Sequence, residues 1–334
     1  MYTNLGYRPR PYDPKAEKYA VSRLWAILGL DVSAVDINQP RSLANFQGKD
    51  CRVPITNQGA LGACAAFAAI EAAEMAANAN GWRSTDDPPL NYGLDYELAR
   101  IAEGSFPNDA GSNPADCLQF VLNGLPLDSD MPYTQQAATD YRGIQNTDVH
   151  KYLAGFSPFS NTQNTLFHQN ICQSFDLGHP VILATNWYQP WFQPDGLGVL
   201  PTLTPGSNPV GGHAFVAYSR LQTRDGRWGY GCANHWTNGW DPQVVNSGLR
   251  PGDFIITDDM LILTCMEGWT VVGGPAPNPN PNPNPAPPTP TPPAHYVPVG
   301  DCVPFWDFIQ KYPIFFQNAM DIWGPRMFHP RGCA

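Results

Sequence analysis

The sequence predicts an α+β fold of two halves, a helical half followed by a strand-rich half, with a cleft where they meet. Three observations lead there. Residues 63–79 are an alanine-rich run that opens at Cys64; from about residue 151 short apolar stretches alternate with Gly, Pro and Asn clusters; and beyond Gly274 the composition turns to proline repeats. Alanine is the strongest helix former, short apolar runs bounded by turn residues read as strands, and proline repeats exclude both.

Taken in order, residues 1–50 read as an arm that wraps the main domain. Its cations Arg8, Arg10, Lys15, Lys18 and Arg23 are diluted by Pro, Asp and Glu, which reads as a solvated stretch, and a short apolar segment follows at 24–31. Residues 51–274 form the main domain. Helices are expected over 63–79, 94–103 and 114–123, each after turn residues, and strands over 180–186, 213–220, 228–233 and 253–256. Residues 275–293 alternate Pro with Asn, Ala and Thr. Such a spacer is extended polyproline and reaches about 60 Å at about 3.1 Å per residue. Residues 294–334 gather Phe305, Trp306, Phe308, Phe315, Phe316 and Trp323 between Cys302 and Cys333. That segment is too short to bury its own aromatics, so it reads as a docking module closed by a Cys302–Cys333 bridge, joining a protein partner or further copies of the chain.

Three blocks carry chemistry. Gln58-Gly59-Ala60-Leu61-Gly62-Ala63-Cys64-Ala65-Ala66-Phe67 sets a cysteine at a helix start with an amide six residues upstream. Helix N–H groups favour a thiolate, and a side-chain amide can donate to an oxyanion. Gly211-Gly212-His213-Ala214-Phe215-Val216 places a histidine on an apolar strand, and Ala233-Asn234-His235-Trp236-Thr237-Asn238-Gly239-Trp240 adds an asparagine in a tryptophan-rich turn. Singly, Cys64 reads as a small buried hydrophobe, His213 as a core histidine and Asn234 as turn chemistry. Together they are the parts of a thiol acyl-transfer site. His235, next to Asn234, points the other way on an extended segment.

With these blocks in this order, residues 1–274 resemble the papain-like cysteine peptidases, whose signature runs Gln-Gly-x-x-Gly-x-Cys-x-Ala-Phe, then His-Ala, then Asn-x-Trp-x-x-Gly-Trp. The resemblance implies a two-subdomain fold, a helical half and a β-barrel-like half with the active-site cleft between. It also implies peptide hydrolysis, with Cys64 the nucleophile, His213 the base, Asn234 the residue that orients the imidazole and Gln58 the oxyanion donor. Gly111 and Ser112 line the groove and pair with substrate backbone, Ala214 follows the base on the substrate side, and Trp236 shields the His–Asn bond. The plain reading of Gly111-Ser112-Asn113 is a helix N-cap before Pro114. The opening Leu5-Gly6-Tyr7-Arg8-Pro9-Arg10-Pro11-Tyr12-Asp13 is similar to the start of bacterial members without a long inhibitory segment. Leu61, Ala65 and Gly212 depart from the pattern, replacing a disulfide cysteine, a tryptophan and an Asp or Asn.

Composition narrows the alternatives. A net charge of −10 leaves no basic stripe to neutralise phosphates, which argues against nucleic acid as a partner. No apolar run approaches bilayer length, and the N-terminus has no apolar signal segment. There is no P-loop, dinucleotide glycine pattern, HExxH or paired CxxC, so no cofactor and no metal are expected. Asp86-Asp87 and Asp258-Asp259 read as turn and surface residues. Low charge with abundant Pro, Gly and aromatics favours an extracellular, cell-surface or virion-associated protein over a cytoplasmic one. Eight cysteines are compatible with disulfides. The alternative to a peptidase is a structural or binding component of an assembly that keeps the peptidase fold.

Overall fold

The computed structural model describes residues 5–10, 21–144, 148–159, 166–240 and 248–273. The spacer at 275–293 and the docking module at 294–334, with its Cys302–Cys333 bridge, lie outside these residues. Helix α1 spans Val21–Ile27, where an apolar segment is expected at 24–31. Helix α2, Cys64–Ala79, is the central element, buried from Cys64 through Asn78 on every face. Its eight alanines up to Ala77 let neighbouring backbones come close; beyond it, a Cβ on Gly273 would fall on the Ala76 and Ala77 backbone.

Helices α3, Tyr92–Ala102, and α4, Pro114–Asn123, pack on α2. Asn91 caps α3 by accepting the Leu94 N–H at 2.8 Å, so the helix opens two residues before the start expected at 94. Asn113 caps α4 by accepting the Ala115 N–H at 2.9 Å, with Pro114 at the first helical position. That is the N-cap the sequence suggests.

On the other side of α2 stands an antiparallel sheet of β1 (Arg41–Ser42), β2 (Leu153–Pro158), β3 (Val181–Tyr188), β4 (Pro209–Gln222), β5 (Trp228–Ala233), β6 (Asp253–Thr257) and β7 (Cys265–Gly273). The order is β2-β7-β3-β4-β5-β6, with β1 added against β4. Strands β3 to β6 cover the expected strands. The strand-rich half also holds two helices that the sequence reading omits, α5 (Phe167–Asp176) and α6 (Asp258–Thr264). In α5 the buried Phe167, Ile171 and Phe175 recur every four residues, but His, Asn and Ser between them are weak helix formers. Asp258, partly exposed, opens α6 and takes the Arg220 guanidinium in a two-pronged contact. Asp87 does close a turn, accepting the Ser84 N–H at 2.9 Å.

Register places the chemistry. Val216 lies opposite Ala233 and His213 opposite Thr185, so the end of β5 delivers Asn234 beside the His213 end of β4. The backbone N–H of Ala214, the residue after His213, reaches Cys64 at the start of α2.

Candidate active site

Cys64 is the first residue of α2, and no side chain caps that helix start. Free N–H groups therefore point toward the sulfur. The thiol is fully buried. Burial pushes it up to about 11, while backbone N–H groups of Ala214, Gly6 and Ala65 pull the other way. The thiolate-favouring helix start is present, but in this arrangement desolvation outweighs it.

The His213 ring sits in an aromatic slot, stacked on Trp236 at 4.5 Å between centroids and edge-on to Trp187 at 4.8 Å. Its Nε2 is 2.9 Å from Asn234 Oδ1. The same oxygen accepts the His235 backbone N–H at 2.9 Å. A backbone N–H can only donate, so the asparagine presents oxygen on this side and His213 Nε2 carries the hydrogen. The uncharged ring thus holds its lone pair on Nδ1, a buried atom with no hydrogen-bond partner among the described residues. Burial lowers the imidazole to about 3, with His235 adding to the fall and the Asn234 bond opposing it. With Cys64 and His213 both buried, each is held in its neutral form.

Gln58 is held in the loop before α2. Its backbone N–H reaches the His235 carbonyl at 2.8 Å, and its side-chain Nε2 donates to the Leu61 carbonyl at 2.8 Å. One of the two amide hydrogens is therefore spent on Leu61 and one is left.

Across the groove from His213 lie Gly111 and Ser112, and between them runs the chain's own arm. Ser112 N–H donates to the Gly6 carbonyl at 2.7 Å, and Arg8 N–H donates to the Ser112 carbonyl at 3.1 Å, a parallel pairing. On the opposite wall Tyr7 N–H donates to the Gly212 carbonyl at 3.0 Å. Gly6 has to be glycine here, because a Cβ would fall on the Gly62 carbonyl. Gly212 serves the same fit, since a Cβ there would meet the Tyr7 ring. This gives the departure from Asp or Asn at position 212 a physical reason.

Arg8 and Arg10 are not merely solvated, as their dilution suggests. Arg8 reaches Glu103 at 3.3 Å, and Arg10 pairs with Asp116. Glu267 takes the Arg10 N–H at 3.1 Å and the Asn113 amide at 3.0 Å, while Asn113 also holds the Arg8 carbonyl at 2.9 Å. The exposed ion pairs contribute about 0–1 kcal/mol each, so the buried backbone pairing does most of the holding.

The structure thus brings Cys64, His213, Asn234, Gln58, Ala214 and Trp236 to one end of α2, with Gly111 and Ser112 on the facing wall. Trp187, Glu267, Glu71 and His235 also belong to this region and were not singled out from the sequence as site residues. Glu71 carries a sequence signal, being one of two carboxylates, with Glu74, in a mostly apolar helix. Among the described residues no group of three or more His, Cys, Asp or Glu side chains could hold a metal ion. Cys51, Cys64, Cys117, Cys172 and Cys232 are free thiols there, and the Cys265 thiol donates to the Glu267 carbonyl at 3.4 Å. Among the described residues no helix is long and apolar enough to cross a membrane.

No protein-family model matches the sequence, and no curated protein does. Solved structures do. The chain is similar to xylellain, a cysteine protease from Xylella fastidiosa, at 16% identity and a TM-score of 0.59, over 81% of this chain and 96% of that one. It is similar to the ragweed pollen allergen Amb a 11, a cysteine protease in its proform, at 16% identity and a TM-score of 0.56, over 88% and 73%. A third likeness is to the bromelain protease from Ananas comosus in complex with the E64 inhibitor, at 16% identity and a TM-score of 0.50, over 70% and 98%. The six helices and seven strands seen among the described residues, and these neighbours, agree on one architecture: the chain has the papain-like cysteine peptidase fold.

Proposed function

We propose that this chain is a thiol-dependent peptidase, held latent by its own arm. The observation that supports it most is the proton arrangement at His213, whose Nε2–H is committed to Asn234 and whose Nδ1 has no hydrogen-bond partner among the described residues. A base with that tautomer can take the Cys64 proton on Nδ1.

In the proposed reaction a peptide replaces the arm, pairing its backbone with Ser112 and the Gly212 carbonyl. The Cys64 proton passes to His213 Nδ1, and the sulfur attacks the substrate carbonyl carbon. The carbonyl oxygen becomes an oxyanion, held by the Cys64 N–H and the remaining Gln58 N–H. The carbon–nitrogen bond then breaks, and His213 gives its proton to the departing amine. Water, deprotonated by the same nitrogen, attacks the thioester and frees Cys64. Asn234 keeps the ring in its tautomer, Trp236 keeps water off the Nε2–Asn234 bond, and Ala214 directs its N–H at the sulfur.

The arm itself is a poor substrate. Its Gly6 offers Cys64 an N–H, and the Gly6 carbonyl is turned away toward Ser112. Attachment to a partner through residues 294–334 rests on the sequence alone and is the second part of the proposal. Hydrolysis of a fluorogenic peptide mixture by a Gly6→Leu chain, whose arm is expelled because a side chain at position 6 collides with the Gly62 carbonyl, and by the same chain carrying Cys64→Ala tests the first part. Activity that disappears in the variant supports a peptidase, and equal background rates in both favour a binding protein that keeps the fold.

A further inference from the structure

We propose that Glu71 and His235 form a buried positioning pair that fixes the tautomer of His213, a role that rests on the peptidase reading above. Residue 235 touches every element that carries a candidate catalytic group. Its N–H donates to Asn234 Oδ1 at 2.9 Å, and its carbonyl accepts the Gln58 N–H at 2.8 Å. Its ring Nε2 lies 3.1 Å from the carbonyl oxygen of Ala214, the residue after His213. Its ring Nδ1 lies 3.0 Å from Glu71 Oε2. Glu71 sits two helical turns along α2 from Cys64, on the same face.

Both side chains are almost wholly out of water, His235 at 0% and Glu71 at 1% exposure. A proton inventory shows how tightly they are matched. The Ala214 oxygen only accepts, so Nε2 carries a hydrogen; the contact between Nδ1 and Oε2 then needs one further proton between them. Glu71 Oε1 takes the Thr56 hydroxyl. Removing either member strands a buried polar atom of the other.

The consequence reaches His213 through Asn234. The side-chain amide of asparagine can rotate by half a turn, exchanging its oxygen for its NH2 group. What prevents this is the His235 N–H on Oδ1, and what holds that N–H in place is the ring anchored between α2 and β4. Were the amide to turn, Nδ2 would face His213 Nε2, which would then have to accept. The ring hydrogen would move to Nδ1, the atom that must receive the Cys64 proton. Glu71 and His235 touch no reacting atom and act only through Asn234, as positioning residues.

The test uses the full chain labelled with 15N-histidine, comparing the wild type with Glu71→Ala, Glu71→Gln and Thr56→Val. The inference predicts that His213 is the pure Nε2–H tautomer in the wild type and a mixture in Glu71→Ala. Glu71→Gln, whose amide can donate to Nδ1, restores it. Turnover per titrated thiol, read in the Gly6→Leu background that clears the groove, should fall about ten- to a hundredfold in Glu71→Ala, less than full loss of the orienting group costs in a serine triad. KM should stay within about twofold. Should Glu71→Ala not fold, Thr56→Val must show the same tautomer shift in smaller measure. An unchanged His213 spectrum in the folded variants, or equal loss in the Ala and Gln variants, overturns the inference. If the chain freed of its arm by Gly6→Leu hydrolyses no peptide, the peptidase reading fails, while the His213 tautomer still decides this one.

Discussion

Ser112 donates its amide to the Gly6 carbonyl at 2.7 Å, and that bond turns the arm's peptide carbonyl away from Cys64. The arm therefore fills the groove in an orientation that the thiol cannot attack. Gly6→Leu should expel it, because any side chain at position 6 collides with the Gly62 carbonyl. Iodoacetamide labelling of Cys64 at pH 7 should then rise by at least about tenfold, since each unit of fall in the thiol pKa multiplies the thiolate fraction tenfold. Equal rates in the wild type and Gly6→Leu would show that the arm does not control the thiol.

The pH profile of the intact chain follows from the same burial. With Cys64 raised to about 11 and His213 lowered to about 3, the thiol is protonated and the imidazole neutral from about pH 4 to 10. A raised thiol pKa means that the reactive form appears only on the alkaline side. Labelling of the intact chain should keep climbing toward pH 11, whereas in Gly6→Leu it should level off at lower pH. A neutral plateau in the intact chain would contradict this.

Asn113 both caps α4 and holds the arm through the Arg8 carbonyl. Asn113→Ala should lose about 1 kcal/mol, as cap removals do, and should also speed Cys64 labelling. Asn91→Ala removes the cap of α3, which makes no such contact with the arm, at a comparable cost. Thermal unfolding should report a loss in both variants, with faster labelling in the first only.

Much of this layout was legible in the sequence. The alanine helix that starts at Cys64 and the strand that carries His213 lie where the sequence pattern expects them, and Asn234 follows the strand before it and lies 2.9 Å from His213. What escaped depends on contacts between distant segments. The path of residues 5–10 through the groove is set by backbone pairing with Ser112 and Gly212, which leaves no periodicity in the sequence. Helix α5 hides behind polar residues of weak propensity, and the short α6 opens on Asp258-Asp259, which read in the sequence as turn and surface residues. The meeting of Glu71 with His235 needs the fold, although two carboxylates, Glu71 and Glu74, in an alanine helix signal that something must receive them. The high thiol pKa was likewise invisible, because the helix start argues for a thiolate until the arm is placed over it.

Roles within the site should separate by size of effect. Asn234→Ala should lower turnover less than His213→Ala, since orientation can be lost in part while the proton carrier cannot. Gln58→Ala should cost on the order of a hundredfold in turnover, as removal of one oxyanion donor does elsewhere. Kinetics in the Gly6→Leu background provide the comparison. A Gln58→Ala enzyme with unchanged turnover would remove that residue from the oxyanion site.

The central claim is that Cys64 is a nucleophile served by His213, and covalent labelling by an E64-type epoxide tests it most directly. The Gly6→Leu chain would be treated with the epoxide at pH 7, digested and read by mass spectrometry. The account predicts a single adduct on Cys64, absent in Cys64→Ala and strongly slowed in His213→Ala, with Cys51, Cys117, Cys172, Cys232 and Cys265 unmodified. No adduct on Cys64 in the folded chain, or labelling at the same rate without His213, would contradict it.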